Sequence, residues 1–131
     1  LADFTTVETE RRVPQDVIAT PGLWTEPVVG FMNKCSTTAG VTQPLFSALP
    51  LGFGNAAAGG AEGYAAGNLL ATHITGPVLV KNPAFLQYVA ARLYEKRRAE
   101  IPAAPENAPW RAHARRAYEV TYAALSDRLG K

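Results

Sequence analysis

Among 131 residues there is one cysteine, Cys35, one methionine, Met32, and two histidines, His73 and His113. A lone cysteine cannot close an internal disulfide or build a zinc site without ligands from elsewhere, so a reducing compartment fits and a structural metal does not. Long apolar runs are missing as well. None approaches the roughly 20 residues that a membrane-crossing helix needs, and the first residues lack the basic-then-apolar pattern of a secretory signal. Charge of one sign is also scarce: 13 Lys and Arg stand against 11 Asp and Glu, a net +2 that does not by itself argue for nucleic acid or an anionic membrane. These absences predict a cytoplasmic protein with no metal, no cofactor, no nucleic-acid partner and no membrane span.

What is present describes an ordinary globular chain, 47% hydrophobic and 18% charged. Its length makes residues 1–131 a single domain, able to bury about two-thirds of its unfolded surface. Residues 3–10 and 13–19 mix β-forming and polar side chains, which predicts two short strands with Arg11-Arg12 near their junction and a turn at Pro21-Gly22. Residues 27–33 predict another strand, with Val29, Phe31 and Asn33 on one face and Val28 and Met32 on the other. Residues 42–50 read as a connection. Residues 52–64 are dense in glycine but lack the preceding strand, lysine and following helix of a phosphate-cradling loop, so they read as a surface loop carrying Asn55 and Glu62.

Residues 69–74 form an apolar, partly β-branched run that predicts a buried strand, ended by Gly76-Pro77. His73 falls near its carboxyl end, where open α/β sheets gather ligands; the alternative is a histidine hydrogen-bonded within a core. Asn82 and Pro83 predict a helix cap and a first helical position, with Leu86, Val89 and Leu93 as the core stripe and Lys96, Arg97 and Arg98 complementing the last turn. After a proline-rich linker at residues 101–109, a second helix is expected to run to about Leu129, with Tyr118, Tyr122, Leu125 and Leu129 in line. Arg111, His113, Arg115 and Arg116 crowd its first turns, where carboxylates such as Glu106 and Glu119 would offset them.

Residues 71–83, Ala-Thr-His-Ile-Thr-Gly-Pro-Val-Leu-Val-Lys-Asn-Pro, resemble the Gly-Thr-Tyr-Leu-His-Gly-Pro-Leu-Leu-x-Lys-Asn-Pro signature of cobyric acid synthase-like class I glutamine amidotransferases. Within that group the likeness is greatest to the glutaminase subunit that works with a Mur ligase-like subunit to amidate the glutamate of lipid II. The resemblance implies an α/β fold, part of a flavodoxin-like amidotransferase sheet with two carboxyl-terminal helices. It also implies that glutamine is the substrate and that an ATP-dependent, Mur ligase-like synthetase is the partner. Residues 3–7 and 12–16 resemble the segment after the family's nucleophile, which makes Arg12 a candidate at the glutamine pocket. Gly52-Phe-Gly-Asn55 and Glu62-Gly63 resemble its loop, which makes Asn55 a second substrate-binding candidate, and His73 becomes the catalytic candidate.

A glutaminase of this class needs a cysteine thiolate, a histidine that moves the proton, and N–H donors for the oxyanion. This sequence departs from the pattern at three places. The Gly-x-Cys-x-Gly turn is absent, and Ser36-Thr37-Thr38 after Cys35 supplies no such turn. Met32 and Lys34 stand where a glutamate and a histidine are usual. The family histidine directly precedes Gly-Pro, a position held by Thr75; His73 lies two residues earlier, about 6.5 Å along a strand, farther than the ~3 Å reach of proton transfer. The start at Leu1-Ala2-Asp3 fits a carboxyl-terminal portion whose amino-terminal half lies elsewhere, inactive alone. A cobalamin-pathway amidotransferase of the cobyric acid synthase type and a non-catalytic docking module of the same fold are the alternatives.

Overall fold

The computed structural model describes residues 3–100 and 108–129. It is a mixed α/β arrangement: a curled antiparallel sheet with helices on both faces. The main sheet has the order β3-β1-β2-β6, built from β1 (Thr5–Pro21), β2 (Val28–Ala39), β3 (Phe46–Leu51) and β6 (Ile74–Thr75). β4 (Tyr64–Ala66) and β5 (Leu69–Ala71) make a separate hairpin. All pairings are antiparallel among the described residues. Residues 22–27 and 40–45 are the only links between β1, β2 and β3, and such short links cannot hold the crossover of a dozen or more residues that parallel neighbours require. The described strands therefore do not form the parallel part of a flavodoxin-like sheet.

β1 is one strand where two were expected. Its register against β2 slips between Glu8, opposite Ser36, and Val13, opposite Lys34, so the Arg11-Arg12 junction becomes a bulge inside a continuous element. Pro14 is tolerated because β3 pairs with β1 only from Ile18 onward, which leaves an open edge beside the proline. β3 itself falls in the stretch expected to be a connection. Its buried residues, Phe46 and Leu49, are three apart and so show no strand alternation in the sequence, and Pro50 is acceptable because β3 is an edge strand.

The face assignment of β2 holds. Val28 and Met32 join Val17, Ala19, Leu45, Phe46, Leu49, Ile74 and Phe85 in the larger core, whereas Val29 packs with Ile18, Tyr118 and Leu125 on the opposite side. α2 (Pro83–Arg97) covers the first face through Phe85, Tyr88 and Val89, with Trp24 stacked on Phe85 at 4.6 Å. Leu93 is 60% exposed, so the expected stripe is rotated: the buried side of α2 centres on Phe85. α3 (Pro109–Ser126) covers the second face through Tyr118, Tyr122 and Leu125 as expected, but Leu129 lies past the helix and is exposed. Arg115 in its first turns pairs with Glu26, and Arg111 lies 5.4 Å from the Trp110 ring centroid. Glu106 and most of the expected linker lie outside the described residues.

The predicted buried strand at 69–74 is broken. Leu69 and Ala71 belong to the small hairpin and are exposed, Ile74-Thr75 join β2, and the chain leaves strand geometry at Thr72-His73 because both residues turn to bond Glu62. Gly30 lets β6 come close, since a Cβ there would collide with Ile74 Cγ2. After the one-turn helix α1 (Val78–Lys81), Asn82 does not cap α2. Its buried amide instead accepts from Val29 N–H at 2.8 Å and donates to Val29 C=O at 2.8 Å and Val78 C=O at 2.7 Å. One side chain thus does for β2 beside Val29 what β6 does beside Phe31 and Met32.

Asn82→Ala leaves the two Val29 groups buried without partners, at about 1–3 kcal/mol each. Urea denaturation is expected to show a loss of about 3 kcal/mol or more, far above an ordinary cap deletion; a loss under about 1 kcal/mol would refute this role. Tyr118 gives a second prediction. Burial first, then the charges of Glu26 and Tyr122, push its phenol from 10.0 up to about 12, against the opposing effect of Arg115, while its hydroxyl donates to Pro27 C=O at 2.9 Å. The native state keeps this proton longer than the unfolded chain, so the stability it contributes is complete below pH 10 and is lost as pH rises towards about 12. Denaturation midpoints of the unmodified chain should therefore fall more steeply than those of Tyr118→Phe across that window.

Candidate functional site

Glu62 is the buried charge around which the site is built. It is fully buried, and its backbone is pinned to β3 by paired bonds with Phe46, each 2.9 Å. A carboxylate in that position must have its oxygens satisfied. Three donors do so: Thr72 Oγ1 to Oε2 at 2.6 Å, His73 N–H to Oε1 at 2.8 Å, and His73 Nδ1 to the same oxygen at 3.1 Å. An ionised carboxylate only accepts, so it selects the ring form with a proton on Nδ1, which in a neutral imidazole leaves the lone pair on Nε2. His73 is 37% exposed in its side chain, which leaves the ring held at one end and open at the other. This is the arrangement of a general base whose tautomer is set by a carboxylate.

The glycine-rich loop brings Glu62 to this place. Gly63 adopts φ +72°, and a Cβ there would run into Ala71 C=O, so the chain turns back on the β4–β5 hairpin only with glycine at this position. Asn55 clamps the turn: Nδ2 donates to Gly63 C=O and Oδ1 accepts from Gly63 N–H, both at 3.0 Å. The amide of this substrate-binding candidate is engaged at both ends by the loop. Its position is structural, although it lines a cleft of ≈ 180 Å³ beside His73 together with Thr6, Thr38, Tyr64 and Thr72.

Lys34 reaches the same loop from β2. It is 5% exposed, donates to Gly54 C=O and, at 3.4 Å, to Asn55 C=O, and its ammonium lies 5.1 Å from the Phe53 ring centroid. Burial strips water from the ammonium and lowers its pKa from 10.5, an effect partly opposed by the charge of Glu62.

Arg12 and Cys35 lie elsewhere. Arg12 is exposed beside the β1 bulge and bonds Asn33 C=O at 3.5 Å and Asn33 Oδ1 at 3.4 Å, with Cys35 Sγ at 3.7 Å. Alternation along β2 puts Asn33 and Cys35 on the face opposite Met32 and Lys34, and neither Arg12 nor Cys35 lines the cleft beside His73. The structure thus separates Arg12 from His73. His113 is exposed on α3. Thr75, the position that the amidotransferase signature gives to histidine, is exposed on β6 and donates to Phe31 C=O at 3.1 Å. Among the described residues there is no cluster of three or more His, Cys, Asp or Glu that could hold a metal, and no helix is long and apolar enough to cross a membrane.

The residue that sequence reasoning undervalued is Glu62. Its signal was present: it is the only acidic side chain between residues 52 and 73. A turn-rich context assigned it a loop role, and nothing in the spacing announces that an intervening hairpin folds His73 back onto it. The chain matches no model of a known protein family and no curated protein.

Glu62→Ala removes the acceptor for three groups, two of them on His73. Nitrogen-15 spectra of the imidazole are expected to show the Nδ1–H form in the unmodified chain and a shift towards the Nε2–H form in the variant. An unchanged spectrum would mean that Glu62 does not set the tautomer.

Proposed function

We propose that this chain is the histidine-bearing portion of a class I glutamine amidotransferase, releasing ammonia from glutamine for an ATP-dependent, Mur ligase-like partner. Amidation of a peptidoglycan precursor, the D-glutamate of lipid II, is the reaction it would serve, in the cytoplasm. The observation that carries this reading is the Glu62–His73 pair, an imidazole with Nδ1 engaged and its far side exposed at a cleft. The Gly-Pro and Lys-Asn-Pro pieces of the signature follow it directly, and Asn82 of that signature is the buried amide that locks α1 and α2 to β2.

In this reading the thiolate comes from outside these 131 residues, because the one cysteine faces away from the site. The described antiparallel sheet is then the flank of a larger flavodoxin-like sheet. Further strands would add at the outer edge of β6, which carries no strand partner among the described residues. The thiolate attacks the side-chain amide carbon of glutamine, and N–H donors hold the oxyanion. His73, protonated at Nε2 at that stage, gives the proton to the departing nitrogen, and ammonia and a thioester result. Nε2 then takes a proton from water as the water oxygen attacks the thioester; glutamate leaves and the thiolate is restored. Glu62 holds Nδ1–H throughout and steadies the imidazolium.

The test is glutamine hydrolysis by this chain joined with its nucleophile-bearing half and the ligase subunit. His73→Ala should lower kcat by about 10²–10⁴-fold, the usual worth of a general acid-base group, whereas Cys35→Ser should leave it within about twofold. Turnover that survives His73→Ala removes His73 from the chemistry. No turnover in the unmodified assembly leaves a docking module in place of an enzyme.

A further inference from the structure

The buried ammonium of Lys34 takes no direct part in the chemistry above, yet both of its hydrogen bonds go to the loop that carries Glu62. Its Nζ donates to the carbonyls of Gly54 and Asn55, which are the entrance to the glycine-rich loop. Asn55 in turn bonds Ala61 C=O through its N–H at 2.7 Å, accepts at its carbonyl from Thr38 N–H at 2.8 Å, and grips Gly63 with its side chain. Glu62 sits between Ala61 and Gly63, the two residues that Asn55 holds. A displacement of the loop entrance is therefore passed to Glu62 through backbone bonds at both of its neighbours.

Charge acts in the same direction. Glu62 is fully buried and has no Lys or Arg within ion-pair distance among the described residues, while Lys34, also buried, has no carboxylate in contact. Each is costly alone in a medium of low dielectric, and each lowers the cost of the other across the loop.

We propose that Lys34 is the positioning residue behind His73: it anchors the glycine-rich loop to β2 and supplies the countercharge to Glu62, so that the carboxylate keeps the imidazole in the Nδ1–H form. This deepens the amidotransferase reading and rests on it for its catalytic consequence, but the tautomer can be read without any turnover.

The experiment compares the unmodified chain with Lys34→Met, similar in length but without charge or donors, and with Asn55→Ala, which cuts the loop clamp without altering any charge. Circular dichroism reports folding, nitrogen-15 spectra report the His73 ring, and the assembled enzyme reports kcat and KM. Folded Lys34→Met is expected to lose the Nδ1–H signature and, in the assembly, to lower kcat by about 10–100-fold, the effect typical of groups that orient a histidine from behind, with KM changed by less than about twofold. A folded Lys34→Met that keeps the unmodified spectrum overturns the proposal. If Lys34→Met does not fold, Lys34→Gln, neutral and still a donor, decides: a lost signature supports the role and a retained one refutes it. Asn55→Ala should shift the spectrum the same way, and an unchanged spectrum there overturns the loop route. A shifted spectrum in an assembly that never hydrolyses glutamine would uphold Lys34 as the residue that orders the pair while ending the glutaminase reading.

Discussion

A carboxylate with no access to water must find donors inside the protein, and the geometry of this site follows from how Glu62 does so. Its three hydrogen bonds come from two consecutive residues, Thr72 and His73. Satisfying them interrupts what would otherwise be an apolar strand, splits it between two sheets, and leaves the imidazole standing at the break. The cost of an unpaired buried charge, several kcal/mol, exceeds what one or two strand bonds contribute, so the local β propensity of the run gives way.

Support for that carboxylate is spread over three elements. β3 holds its backbone through Phe46, the glycine-rich loop sets its direction through Asn55 and Gly63, and β2 contributes Lys34 beneath the loop. These are polar contacts beside an apolar core in which Met32, Leu45, Phe46, Leu49 and Phe85 pack between sheet and helix. The rigid core and the satisfied polar network are neighbours, and a histidine mounted at their boundary is ordered at one nitrogen and exposed beyond it. An acid-base residue needs that combination, since orientation comes from the buried side and substrate from the open one.

The same logic separates the other candidates. Arg12 and Cys35 are neighbours across the β1–β2 ladder at its bulge, on the side of the sheet away from Lys34. Neither lines the cleft beside His73. Asn82 of the Lys-Asn-Pro piece has a structural role, since its side chain bonds both backbone groups of Val29 on β2.

Alternation along β2, proline at the start of α2 and α3, and the Tyr118, Tyr122 and Leu125 stripe were legible in the sequence because each depends on the local period of side chains and on φ limits that travel with the residue. His73 could also be singled out as a candidate, from its place near the carboxyl end of the apolar run at residues 69–74. Only the tertiary structure decided that Glu62 reaches His73, that Asn55 serves the loop, that β3 is a strand despite Pro50, and that Lys34 bonds the loop carrying Glu62. Those outcomes turn on which buried polar groups meet across the fold, a matter of solvent exclusion among distant segments for which neighbouring residues carry no signal.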